Sequence, residues 1–261
     1  MKNSTYLLAV AAFLVSNQAL AEETKKDHND VMMERIMVIG DSDNIENIAG
    51  SAHFIDEENL DTHNYTDVNS VLKQIPGINI QQEDGFGNRP NIGFRGGRVD
   101  RSSDITLMED GVLISPAPYS APSAYYFPRI SRMEAVEVRK GSSTIEFGPR
   151  TTSGALNLIS SSTPEKAEFD VTAAVGSFNS QLLKIHQGNK FGNFSYVIDA
   201  NHEKSDGFKK TDFAGGDTGY EIQDVMTKFK VTTDEDADIY QSLELKLGHT
   251  QEDSDETYLG L

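Results

Sequence analysis

The chain has 261 residues, of which 25% are charged; Lys and Arg number 23 against 41 Asp and Glu, for a formal net charge of -18 at pH 7. That excess of carboxylates argues against nucleic acid or an anionic membrane surface as the main partner. With no cysteine in the sequence, disulfides and thiolate metal sites are excluded, and the six histidines are scattered without metal-ligand spacing.

Residues 1–21 read as a secretory signal. Lys2 gives the positive start, Tyr6 to Val15 the apolar stretch and Ala19-Leu20-Ala21 the small-residue cleavage site. An apolar run of about ten residues is half the roughly 20 that a spanning helix needs. Cleavage near Ala21 leaves Glu22 as the mature start. No later stretch is apolar enough for a transmembrane helix, which does not exclude a membrane β-barrel, because its strands are only half apolar. Residues 22–33 are polar. Glu34, Arg35, Ile36, Met37, Val38 and Ile39 then form a short β-prone run. Such a run suits strand addition to the edge of a partner's sheet. Its alternative is the first strand of the domain that follows.

Residues 41–162 read as an α+β domain, a mixed sheet with short helices. Strands are expected at Ser51–Ile55, Ile78–Gln81, Asn91–Arg95, Ile105–Met108, Met133–Arg139 and Ala155–Ile159. Thr66 is positioned to cap a helix over Asp67–Gln74, where Val68, Val71, Leu72 and Ile75 make one apolar face, and Pro76-Gly77 stops it. Asp110-Gly111 marks a turn. Leu113–Phe127, with three prolines and three tyrosines, reads as a long exposed loop, and Pro128 opens a short helix.

Beyond Thr163 the texture changes to alternation. Phe169, Val171, Ala173 and Val175 form one apolar series; Phe194, Tyr196, Ile198 and Ala200 another; Val225, Thr227, Phe229 and Val231 a third; Leu243, Leu245 and Leu247 a fourth. With a further strand near Leu182–Gln187, this makes about five strands of roughly ten residues with one apolar and one polar face, the pattern of an outer-membrane barrel wall. Residues 188–193 and 234–237 are short connections and 204–220 a long one, as expected of periplasmic turns and outside loops. Ser177-Phe178-Asn179 is unusually short for an outside loop. A soluble antiparallel sandwich alternates in the same way and remains the alternative.

Three phrases in order, Leu72-Lys73-Gln74-Ile75-Pro76-Gly77-Ile78, Ile92-Gly93-Phe94-Arg95-Gly96 and Val136-Glu137-Val138-Arg139-Lys140-Gly141, resemble the plug domain of TonB-dependent outer-membrane receptors. Asp100-Arg101-Ser102-Ser103-Asp104, Pro116 to Pro122 and Glu146 to Arg150 bring the resemblance nearest to ferric citrate-type receptors. The resemblance implies a plug held inside a barrel of roughly 22 strands. It implies uptake of a ferric chelate (iron citrate or a siderophore) across the outer membrane of a Gram-negative cell, driven through TonB by the ExbB-ExbD complex. It implies a receptor in contact with outer-membrane lipid, no enzyme and no cofactor.

By the same resemblance, residues 34–39 correspond to the TonB box, and Arg95 and Lys140 to the charges that clamp plug to wall. Lys140 stands where the family has arginine, keeping the charge but losing the bidentate fork. Arginines and hydroxyls suit a carboxylate-bearing chelate, so Arg98, Arg101, Tyr119, Ser120 and Tyr125 are the candidate ligand contacts; the alternative for the arginines is pairing with Asp100 and Asp104. The leader before Glu34 is too short for an added signalling domain. Five strands fall short of a closed barrel, and open sheet edges do not survive in lipid, so the chain is read as a fragment or truncated product. The competing readings are a secreted stand-alone plug-like module or non-functional remnant, and a soluble periplasmic β-rich protein. Gly85-Phe86-Gly87 lacks the rest of a dinucleotide fingerprint, and Ser153-Gly154 lacks the preceding glycine of a nucleophile elbow.

Overall fold

Period-two alternation dictates most of the backbone. The computed structural model describes residues 50–255 except 64, 84, 115, 149–150, 210–217, 235–236 and 238. The signal segment and residues 34–39 lie outside the described residues. The first part of the chain gives β1 (Ser51–Ile55), α1 (Glu57–His63), α2 (Val68–Leu72), β2 (Ile78–Gln81), β3 (Asn91–Phe94), β4 (Ile105–Glu109), β5 (Val112–Leu113), β6 (Met133–Lys140) and β7 (Gly154–Ser160). A five-stranded sheet runs in the order β1-β6-β7-β4-β5, and β2 and β3 form a separate hairpin. The pairs are antiparallel except β4 with β7, which is parallel.

All seven residues of β7 are buried, as befits a strand inside the sheet. Its Leu156 and Leu158 join Ile105, Leu107, Val136 and Val138 in one core with Val68, Val71, Leu72 and Ile75 from α2 and its C-terminal turn. Gly154 admits β3 to that core: a Cβ there would stand 2.4 Å from Cδ2 of Phe94 and 2.5 Å from the Arg139 carbonyl.

Two local expectations change. The cap of α2 is Asp67, not Thr66: its Oδ1 accepts from the Ser70 amide at 3.0 Å and its Oδ2 from the Ser70 hydroxyl at 2.7 Å. Asp67 satisfies two donors at once, so the helix begins one residue later. The regular helix also ends at Leu72, after which Gln74 and Ile75 donate to Val71 and Leu72 in tighter i→i−3 turns. The second change is α1, which the apolar pattern does not announce. Leu60 is its only fully buried apolar residue among those described, so no periodic stripe exists. Asp56 nucleates it by accepting from the Asn59 amide at 3.0 Å.

The second part is an antiparallel meander in the order β12-β11-β10-β9-β8. Its strands are β8 (Glu168–Val175), β9 (Gln181–Phe191), β10 (Phe194–Ser205), β11 (Tyr220–Thr232) and β12 (Ser242–Ser254). Register aligns Phe169, Gln187, Ile198, Thr227 and Leu247 across the sheet, and the next row aligns Asp170, His186, Asp199, Met226 and Gly248. Thr172, Asp199 and Lys246 therefore face opposite to Phe169, Ile198 and Leu245, as the alternation requires.

Burial on this sheet is inverted relative to a water-soluble fold. The polar face is covered: Asp199, Asn201, Glu203, Asp224 and Lys228 are buried. The apolar face is open, with Leu243 74% and Leu245 53% exposed and Val175 88% exposed. A continuous apolar face of this kind is unfavourable in water and neutral in hydrocarbon. Aromatic rings gather where β9 turns into β10: Phe191 and Phe194 each lie 6.3 Å from Tyr196, and Phe194 lies 6.4 Å from Phe229. Rings at that position match the interfacial girdle of a membrane barrel. No helix among the described residues is long and apolar enough to cross a membrane.

Candidate functional site

The covered face of the meander meets the α+β part through charge. Arg132 ends a short 3₁₀ turn (Ile130–Arg132) and is 4% exposed. Its Nη1 pairs with Glu109, its Nη2 donates to Glu109 Oε2 at 3.1 Å and to the Tyr126 hydroxyl at 2.8 Å, and its Nε lies 2.8 Å from Asp224 on β11. Arg129 forks onto Glu203 of β10 and donates to Asn88 Oδ1 at 2.8 Å. Arg89 donates to Glu252 of β12 at 2.8 Å.

The β4–β5 turn supplies the complementary sign. Lys228 of β11 lies 3.2 Å from Asp110 and donates to the Ser160 carbonyl at 3.1 Å. Lys246 of β12 binds Glu109, Asp110 and the Ser160 hydroxyl. Asp110 in turn accepts the Ser160 amide at 2.9 Å, and Gly111 donates to Asn157 at 2.9 Å.

Three cations (Arg132, Lys228, Lys246) thus meet three carboxylates (Glu109, Asp110, Asp224) in one interface. Burial alone would push Asp110 up, but Lys228 and Lys246 outweigh it and bring its carboxyl down to about 2. Burial likewise opposes ionisation of Glu109, and Arg132 and Lys246 overcome it, so its pKa is also lowered. Burial, reinforced by Glu109 and Asp224 against the pull of Arg132, pushes Tyr126 up to about 12. Glu109 and Asp110 are thereby held ionised, and Tyr126 neutral, near neutral pH. The arrangement holds two surfaces together by ion pairs and hydrogen bonds.

The sequence-predicted residues fall into two groups. Arg98 is exposed and grips Asp104, Nη2 to Oδ1 at 2.8 Å and Nε to Oδ2 at 3.3 Å. Arg101, at φ 53, has its Nε 4.0 Å from Asp100, and its amide donates to Asn91 Oδ1 at 2.8 Å. Tyr119, Ser120 and Tyr125 lie on the neighbouring loop, with Tyr119 and Tyr125 exposed. The structure brings the two loops together: Ser123 Oγ donates to Ser102 Oγ at 3.2 Å, and Ser102 itself binds the Pro90 carbonyl at 2.9 Å. Each arginine lies beside a carboxylate, and the two loops touch through Ser102 and Ser123.

Arg95 and Lys140 form the other group. The Arg95 amide donates to the Gly77 carbonyl at 2.8 Å, and buried Lys140 donates to the Pro76 carbonyl at 2.6 Å. Burial and the neighbouring charge of Arg95 lower the Lys140 pKa. Among the described residues no ion pair joins either one to the meander. Contacts of that kind come from Arg89, Arg129, Arg132, Glu109 and Asp110, which sequence reasoning missed. The available signal was charge at inward-facing strand positions (Glu203, Asp224, Lys228, Lys246), which demands partners on the opposing surface.

Comparison with known proteins agrees with this geometry. The family model of the TonB-dependent Receptor Plug Domain matches residues 44–155. Over that part of the chain the match and the fold bear out the resemblance read from the sequence. The vitamin B12 transporter BtuB of Photobacterium profundum is 24% identical over 231 residues, covering 87% of this chain and 37% of that protein. Its counterpart in Vibrio vulnificus is 25% identical over 184 residues, covering 70% of this chain and 30% of that protein. The chain therefore spans about a third of the length of these curated relatives.

Among solved structures, the unliganded ferric citrate transporter FecA superposes with a TM-score of 0.70 at 20% identity, covering 84% of this chain and 33% of that one. The ferric yersiniabactin uptake receptor FyuA of Yersinia pestis superposes with a TM-score of 0.61 at 18% identity, covering 78% of this chain and 31% of that one. These likenesses show the fold: a plug-like mixed sheet with short helices, followed by antiparallel strands.

Proposed function

We propose that this chain serves a TonB-dependent outer-membrane receptor that takes up a ferric chelate, iron citrate or a siderophore. Residues 41–162 are its plug and 163–261 its first wall strands. Residues 1–21 are a signal removed near Ala21, and 34–39 are the segment that TonB engages, energised by ExbB-ExbD. The observation that supports the reading is the inverted meander, whose polar face is buried against the plug while its apolar face is exposed. A receptor of this kind binds and releases its cargo without bond chemistry. The paired loops carrying Arg98, Arg101, Tyr119, Ser120 and Tyr125 are the candidate contact surface for an anionic chelate. A second cargo, a corrinoid, is favoured by the B12 transporters among the relatives.

The test is growth of a deletion strain on single iron or corrinoid sources, with wild-type and Arg98→Ala/Arg101→Ala genes returned. Rescue on ferric citrate or a ferric siderophore is expected. The double variant should bind that chelate about tenfold to several hundredfold more weakly. Rescue only in corrinoid-limited medium selects the second cargo. Unchanged affinity in a folded double variant assigns both arginines to their carboxylate neighbours.

A further inference from the structure

The plug loop before β3 is fastened to the end of the wall where β10 leaves for β11. Phe86 lies 5.4 Å from Phe208 in an edge-on arrangement and 4.7 Å from Tyr220. Phe178, in the β8–β9 connection, lies 6.0 Å from Phe208. Lys209 donates its ammonium to the Glu83 carbonyl. Gly85 has φ +89, and a Cβ there would stand 2.4 Å from Phe208 Cζ and 2.8 Å from Cε1. The ring edge of Phe208 thus occupies the space that a side chain at position 85 would fill.

The same loop is tied down on its other side. A Cβ on Gly87 would stand 3.0 Å from Asp67 Cβ at the cap of α2, and Asn88 binds the Arg129 that forks onto Glu203. On the wall side, Ser205 Oγ donates to the Phe178 carbonyl at 3.3 Å and the Asp206 amide donates to that carbonyl at 2.9 Å. The plug loop, the 176–180 connection and the start of the β10–β11 connection are therefore linked by contacts at several residues rather than one.

We propose that Glu83, Gly85 and Phe86 clasp Phe208 and Lys209 just after β10, so that displacement of this plug loop frees those two residues. Aromatic pairs favour the geometry beyond simple area burial, and the close approach at Gly85 makes the contact depend on the position of the plug backbone. Gly85 and Phe208 act as positioning residues. The clasp couples the plug to the end of the wall that, on the receptor reading above, faces outward.

Trypsin cleavage after Lys209 tests the clasp, because that residue must leave Glu83 to be cut. The rate of appearance of the fragment ending at Lys209 is followed by mass spectrometry. The protein is the intact receptor in the outer membrane, as wild type, Gly85→Ala, Phe208→Ala and the double variant. Each single variant should be cut roughly threefold to tenfold faster, and the double variant no faster than the quicker single, since both remove one contact. Phe208 is 46% exposed, so its removal tests the clasp without threatening the fold. Rates that multiply in the double variant, or singles cut at the wild-type rate, overturn the proposal. Cleavage in lysed but not intact cells overturns the outward orientation instead; the same four rates, read in lysed membranes, still decide the clasp.

Discussion

Arg132 shows how one side chain joins two surfaces. It is shared by Glu109 and Tyr126 on the plug and Asp224 on the wall, and it is almost wholly buried. A buried ion pair gains little over an apolar replacement, but removing one partner strands the other. Arg132→Ala should therefore destabilise the folded protein by about 3–5 kcal/mol, read from the shift of a urea unfolding midpoint. Loss of less than about 1 kcal/mol would mean that water or Lys246 compensates the two carboxylates. Asp110 sets the pH dependence. Its folded pKa of about 2 lies below the ordinary carboxylate value. A depressed carboxylate contributes stability above its unfolded pKa, and that stability is lost as pH falls through the folded value. Stability should then decline from about pH 4 towards pH 2, by about 2 kcal/mol from this group. Asp110→Asn should flatten that slope in a series of unfolding midpoints against pH.

At the scale of the element, β10 to β12 show why an alternating strand has two solvents. Inward residues need charge partners, and on the receptor reading outward ones need hydrocarbon. Leu245 faces outward beside Phe229, its register partner on β11. Leu245→Arg should cost roughly 2–4 kcal/mol if that row sits at the bilayer midplane, less nearer the headgroups. The measurement is the fraction assembled into phospholipid vesicles, with Lys246→Leu as a contrast on the other face. Lys246→Leu should leave lipid insertion intact and weaken the plug contact, because its ammonium binds Glu109 and Asp110. If Leu245→Arg inserts as well as wild type, the open face is not the lipid face. The short segment 34–39 is an element of another kind, read from sequence alone. Val38→Pro removes a backbone donor and disfavours strand pairing. Uptake of chelate by cells should be abolished while surface binding persists. Normal uptake would mean that residues 34–39 are not the coupling segment.

For the whole molecule, the interface combines strength with reversibility. Its carboxylates and cations balance, although the chain carries a net charge of -18. The surplus acid therefore lies outside the plug-to-wall contacts around Arg132. An interface of paired charges and single hydrogen bonds separates at less cost than an apolar core of equal area, since water can satisfy each group released. On the receptor reading proposed above that property suits a plug pulled through TonB, and it distinguishes this interface from the close-packed core of β4, β6 and β7. The clasp at Gly85 adds a second tie, aromatic rather than ionic, at the far end of β10.

The alternation of Phe169, Ile198 and Leu245 with Asp170, Asp199 and Lys246 was enough to give strand identity and face, because a strand's side chains repeat every two residues. The apolar stripe of Val68, Val71, Leu72 and Ile75 likewise announced α2, and the ordered phrases from Leu72 to Gly141 announced the plug. Helix α1 was invisible because a single buried leucine carries no period. The partners of the wall charges were invisible too. Glu203 meets Arg129 across 74 residues and Asp224 meets Arg132 across a longer stretch still, separations at which no local pattern constrains pairing. Sequence placed Arg95 and Lys140 by analogy, whereas the tertiary structure set the Arg95 amide and the Lys140 ammonium against the carbonyls of Gly77 and Pro76. By itself the sequence determined which residues share a face of a strand or helix, since the period of apolar and polar side chains fixes that. Only the tertiary structure decided which charge neutralises which, because that depends on where two distant surfaces come to rest against each other.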